Sequence, residues 1–226
     1  MLMNKPLKKV YVVGPQLGYA RSIHNKELVD DITKADIVVL TGGADISPST
    51  YGKKKLPCTW DYIERDAFEI NAYNKVRPDQ LVVGVCRGAQ LLCALNGGNL
   101  VQDADRHAMG SYHNMQGMPG TPYEGHNYAI TSLHHQMMYP FDIPQENYTI
   151  VFRAYPNRST YYVGDGINPD IIRQKGEPEI IIFHAPDKPV GLAIQGHPEM
   201  MEQTCDTVVM FNDMIDDLLI NITKKQ

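Results

Sequence analysis

Cys86 stands in the segment Leu81-Val-Val-Gly84-Val-Cys86-Arg87-Gly88-Ala-Gln90-Leu-Leu, where an apolar run meets a helical pattern. Gly-x-Cys-x-Gly between a strand and a helix is the geometry of a nucleophile elbow with cysteine in the serine position. Such a turn lifts the sulfur above the carboxyl end of the sheet, where open α/β sheets bind ligands. The helix dipole and a nearby histidinium would both favour the thiolate there. A thiol nucleophile needs a base within hydrogen-bond reach, and the base needs an orienting group. Gln195-Gly-His197-Pro-Glu199, directly after the apolar run Val190–Ile194, supplies both. In an extended segment residues two apart share a face, so Glu199 is expected to align with His197. A third segment, Val39-Leu-Thr-Gly42-Gly43-Ala-Asp45, runs a strand into two glycines. Its backbone N–H groups are the kind of donor that holds a developing oxyanion. Taken singly, each piece has a plainer reading: a buried structural cysteine, a polar strand end, a turn.

These residues need elements to carry them. Val10–Val13, Ile37–Leu40, Leu81–Val85, Ile180–Phe183 and Val190–Ile194 are short apolar runs and read as buried parallel strands. Asp61–Val76, Ala89–Leu95 and Thr204–Leu219 carry helical periodicity. Strands alternating with helices predict a three-layer α/β sandwich around a mostly parallel sheet. With no internal repeat and no linker, residues 1–226 are expected to form a single domain. Residues 104–128 and 153–178 break the rhythm and read as long, irregular loops, either segments that bind a substrate or partner or surface insertions without function.

Composition narrows the function classes. Hydrophobic residues make up 43% and charged residues 21%, as in ordinary globular proteins. A formal net charge of −5 argues against a large nucleic-acid footprint. The four cysteines, Cys58, Cys86, Cys93 and Cys205, form no CxxC pair, which argues against a zinc ribbon or a disulfide framework. No export signal or membrane-length apolar run is visible, so a cytoplasmic location is expected.

Taken together and in order, these motifs resemble the class I glutamine amidotransferase superfamily, and within it the γ-glutamyl hydrolase-like cysteine peptidases. The resemblance spans residues 10 to about 203 and rests on TGGADISPSTYG, ERDAFE at 64–69, GVCRGAQLLCALNGGNLVQD, SLHHQ at 132–136 and the late His-Pro-Glu. It implies a flavodoxin-like fold with Cys86 as nucleophile, His197 as base and Glu199 as the orienting acid. It also implies oxyanion donors at the backbone N–H groups of Gly43 and Arg87. Gln90 matches a residue that helps hold the glutamyl group, and His134 and His135 match the pair lining the same pocket. The implied reaction is hydrolysis of a γ-glutamyl C–N bond through a γ-glutamyl thioester, without metal or organic cofactor. Activity should fall at low pH, where the thiolate–imidazolium pair is lost.

Three other readings stand beside this one. A glutaminase of the amidotransferase type would pass ammonia to a separate synthetase partner. A catalytically idle relative would serve only to bind. An α/β-hydrolase with a cysteine nucleophile would place its acid before the histidine, whereas Glu199 follows His197. The substrate is expected to be a small γ-glutamyl compound or glutamine, with no nucleic-acid or membrane partner. Apolar, tyrosine-rich loops leave room for a homodimer.

Overall fold

The computed structural model describes residues 6–224. Its strands are β1 (Lys8–Val12), β2 (Lys26–Leu28), β3 (Ile37–Leu40), β4 (Leu81–Val85), β5 (Asn99–Val101), β6 (Asp103–Ala104) and β7 (Ser111–Gly117). They continue with β8 (Asn127–Ser132), β9 (Met137–Tyr139), β10 (Tyr148–Ala154), β11 (Tyr162–Val163), β12 (Pro178–Phe183) and β13 (Gly191–Ile194). The helices are α1 (Ile63–Tyr73), α2 (Arg87–Leu95), α3 (Pro169–Lys175) and α4 (Asp206–Lys224).

A nine-stranded sheet in the order β2-β1-β3-β4-β13-β12-β10-β7-β8 forms the middle layer. From β2 to β13 every neighbouring pair is parallel. Beyond β13 the pairings turn antiparallel through to β8. The apolar runs explain the parallel block. In β3, Ile37 and Val39 join the core cluster that contains Val208, Phe211 and Ile215 of α4. Val38 and Leu40 point the other way, into the cluster that holds Ala89, Leu91 and Leu92 of α2 and Tyr73 of α1. A strand buried on both faces has no polar side to show, hence its unbroken hydrophobicity. α1 and α2 cover one face and α4 the other, which gives the three-layer α/β arrangement.

Three expectations change. Pro178–Phe183 is a buried strand but runs antiparallel to both neighbours, because a short connection returns it directly into β13. Residues 104–128 are not loop throughout, since β7 and the start of β8 form a hairpin there. Residues 153–178 contain β11 and α3. The β7 sequence Ser-Tyr-His-Asn-Met-Gln-Gly carries little apolar alternation, so its strand character arises from pairing with β8 and β10.

Candidate active site

Three adjacent parallel strands bring the three motifs together. β4 lies between β3 and β13, with Leu40 opposite Gly84 and Val85 opposite Ile194. Their carboxyl ends therefore present Gly42-Gly43, Cys86 and His197 along one edge. The Cys86 N–H donates to the Ile194 carbonyl at 2.9 Å, which stitches the turn to β13.

Cys86 is 5% exposed and adopts φ 53°, ψ −108°, a conformation that side chains rarely accept. Strain of this kind costs on the order of 1–3 kcal/mol and persists only where the surroundings enforce it. Here they do. α2 starts at Arg87, one residue later, and packs so closely that a Cβ on Gly88 would collide with the Leu40 backbone.

His197 and Glu199 are both buried, and His197 Nδ1 lies 2.7 Å from Glu199 Oε1. The backbone is not extended here. Pro198–Met200 forms a 3₁₀ turn, which still sets the two side chains on one side. The His197 N–H donates to Thr131 Oγ1 at 2.7 Å, so β8 anchors the base from the opposite flank. Burial alone would lower the His197 pKa. Side-chain hydrogen bonds with Cys86 and Glu199, and the charges of both, outweigh it and raise the value to about 10. Cys86, His197 and Glu199 thus form one connected line.

The structure adds partners that sequence reasoning did not name. Tyr19 lies with its ring centroid 6.2 Å from that of His197. Burial, followed by the charges of Glu199 and Cys86, pushes its phenol up to about 12, so it stays neutral beside the pair. Arg65 donates from Nη2 to the Gly42 carbonyl at 2.7 Å and to Thr41 Oγ1 at 2.9 Å. It also donates from Nε to Glu69 Oε1 at 3.0 Å. The other Glu69 oxygen pairs with Arg87, and Arg87 pairs in turn with Asp66. Asp66 accepts from the Ser47 N–H at 2.8 Å. Arg87, Asp66 and Glu69 are each 1% exposed, so this is a buried ionic lattice joining α1, the elbow and the Gly42-Gly43 turn. Gly43 sits at φ +148° with Arg65 packed where a Cβ would stand, so only glycine fits. The signal was present in the sequence as ERDAFE followed by Cys-Arg-Gly, but pairing those residues required the fold.

The remaining predicted residues separate. Gln90 is buried on α2 and donates from Nε2 to the Gln136 carbonyl at 2.9 Å. His134 and His135 lie between β8 and β9 rather than within a strand, and they diverge. His134 is buried with its ring 4.7 Å from that of His107. His135 is a third exposed, with Nε2 3.0 Å from Asp45 Oδ1 and Nδ1 3.2 Å from Asp103 Oδ1. The hydrogen bond to Asp45 is the largest influence on its pKa, which is raised.

Comparison with known proteins gives the same frame. A family model for Peptidase C26 matches residues 20–150, more than half of the chain. A "putative glutamine amidotransferase-like protein" of Lactococcus lactis (strain IL1403) is 35% identical over 125 residues, 47% of this chain and 52% of that protein. A "putative glutamine amidotransferase" of Mycobacterium tuberculosis is 28% identical over 185 residues, 79% of this chain and 54% of that protein. The chain thus spans about half the length of these relatives. Among solved structures, a "putative gmp synthase subunit a protein" from Thermoplasma acidophilum superposes with TM-score 0.60 at 17% identity, covering 98% of both chains. A glutamine amidotransferase from Thermotoga maritima superposes with TM-score 0.50 at 13% identity, covering 99% of this chain and 98% of that one. At these identities the structural matches speak to fold alone. On the sequence match and the shared fold, the chain belongs to the Peptidase C26 family, within the class I glutamine amidotransferase superfamily.

Proposed function

We propose that the protein hydrolyses the γ-glutamyl C–N bond of a small amide or peptide. The observation that carries this reading is the line Cys86–His197–Glu199, with Nδ1 of the imidazole held at 2.7 Å and the thiol as its other side-chain partner. The Cys86 sulfur attacks the γ-carbonyl carbon, and the carbonyl oxygen takes the negative charge. Backbone N–H groups of Gly43 and Arg87 receive that oxygen. Arg87 opens a helix, so its N–H has no partner within the helix. The intermediate collapses as the C–N bond breaks and His197 gives its proton to the departing nitrogen. Water then attacks the thioester, His197 accepts a proton, and glutamate leaves as the C–S bond breaks.

Asp45, His135 and Asp103 form a row of two carboxylates with the imidazole between them, beginning two residues after Gly43. Such a row suits the zwitterionic α-amino acid end of a γ-glutamyl group. Gln90 acts at one remove, by fixing the Gln136 carbonyl, which also lies 2.8 Å from His134 Nδ1.

A second reading, a glutaminase feeding ammonia to a separate synthetase, draws support from the glutamine amidotransferase names of the relatives. Glutamate release from a panel of γ-glutamyl compounds, free glutamine included, separates the two. Strong turnover of a γ-glutamyl amide or peptide by the isolated chain, lost in Cys86→Ala, is the expected result. Feeble turnover of glutamine alone would favour the glutaminase. No release from any compound, together with no thiol labelling at Cys86, would refute both.

A further inference from the structure

Away from the thiol, a second cluster of titratable groups lies buried between the β7–β8 hairpin and β12, and the hydrolytic steps above make no use of it. His107, His113 and Glu179 each offer a ligand atom, and these atoms all lie within 4.8 Å of one another. They come from three separate segments: the turn after β6, β7 and β12. Their side chains are 0%, 5% and 1% exposed. His113 Nε2 is 2.7 Å from Glu179 Oε1, and His107 Nδ1 is 4.0 Å from the same oxygen.

The surroundings orient these groups. Glu177 accepts from the Arg158 and Ser159 N–H groups and from the Tyr162 hydroxyl, each at 2.8 Å. It faces His107 Nε2 at 3.2 Å. A carboxylate at Nε2 calls for the proton there and leaves the lone pair of His107 on Nδ1. Ser132 Oγ lies 3.2 Å from that nitrogen and donates its own proton to the His107 carbonyl at 2.7 Å, so an ion bound at Nδ1 takes the place of the Ser132 contact. A carboxylate on the far nitrogen is how metal-binding imidazoles are held.

Capacity is also left over. Glu179 Oε2, His113 Nδ1 and His134 Nε2 are buried with no hydrogen-bond partner. Among the described residues, no arginine or lysine pairs with Glu177 or Glu179. Buried carboxylates ordinarily meet a cationic side chain or coordinate a metal. His113 also lines a cavity of about 370 Å³ together with Arg106, Asn114, Tyr155 and Arg158.

We propose that His107 Nδ1, His113 Nε2 and Glu179 bind a divalent transition-metal ion of the zinc class. Two imidazoles and one carboxylate are a donor set that suits zinc. The ion clamps the β7–β8 hairpin to β12. It also fixes His107, on which the ring of His134 rests. The spacing of histidines in the sequence gives no hint of this site, because its donors lie between 6 and 72 positions apart.

The test strips the full chain with a chelator, confirms by circular dichroism that it stays folded, and then adds Zn²⁺ or Co²⁺ alone. One zinc per chain should be retained after desalting, Co²⁺ should give the visible band of a low-coordinate site, and Zn²⁺ should displace that band. Glu179→Gln and His113→Ala should abolish retention, while His126→Ala, an exposed histidine, leaves it intact. Glu177→Gln should weaken affinity roughly 10- to 100-fold, the usual cost of losing a group that orients a ligand. Failure of folded wild type to retain zinc or develop the cobalt band would overturn the proposal. So would retention unchanged in folded Glu179→Gln and His113→Ala. The cobalt measurement on wild type stands even if the variants do not fold.

Discussion

The imidazole of His197 sits where burial disfavours its charge, yet Cys86 and Glu199 reverse the balance and lift its pKa to about 10. The sign of the consequence follows from linkage. The folded value lies above the ordinary value of 6.5, so the folded state holds a proton that the unfolded state releases between the two. This contribution to stability is complete below about 6.5 and is lost as pH rises through about 10. Urea unfolding of wild type should therefore weaken across that window, and Glu199→Gln should flatten the dependence. In the same variant an NMR titration should place the His197 midpoint lower, and glutamate release should drop roughly 10²- to 10⁴-fold, the usual worth of a positioned acid–base group. An unmoved midpoint would mean that Glu199 does not set the charge of the base. On the proposed role of His135 in holding the amino-acid end of the substrate, His135→Ala should raise KM with little change in kcat, because a grip on the unreacting end serves ground state and transition state alike. An equal fall in kcat would place His135 in the chemistry instead.

Between elements, the lattice Arg65–Glu69–Arg87–Asp66 is what ties α1 to the elbow. Removing one partner leaves a buried charge uncompensated, which costs about 3–5 kcal/mol. Asp66→Ala should lose stability on that scale in chemical denaturation, because Arg87 is 1% exposed and cannot reach water. A loss below about 1 kcal/mol, the range of surface ion pairs, would show that Arg87 finds water or another acceptor. This lattice was only half legible beforehand. The sequence displays an acidic-basic helix and an arginine after the nucleophile. Which acid meets which base depends on how α1 packs against the start of α2, and no spacing in the chain encodes that. The β7–β8 hairpin was hidden for a related reason: its polar residues face groups supplied by other strands, such as Glu179 opposite His113.

Across the whole molecule, α4 closes the face of the sheet opposite α1 and α2, and its Phe211 is fully buried in the core cluster there. Phe211→Ala should cost about 3–5 kcal/mol by loss of apolar contact and creation of a cavity, read by the denaturation midpoint. A shift under about 1 kcal/mol would mean that the layers repack. The amino-acid order by itself determined which of these segments are buried strands, because a segment covered on both faces must be apolar throughout, but not their direction, since the run Ile180–Phe183 lies antiparallel to both neighbours. β3 and β4 have the bounds that their apolar runs mark. It also determined the strand-to-helix turn at Cys86, because glycine is needed where a helix presses on its neighbour. Tertiary structure alone decided that β3, β4 and β13 lie side by side, and hence that residues 43, 86 and 197 share one edge. It alone decided the separate courses of His134 and His135, and the meeting of His107, His113 and Glu179. Local sequence governs conformation through short-range sterics and burial pattern. The juxtaposition of distant polar groups depends on strand order, which is a property of the packed sheet.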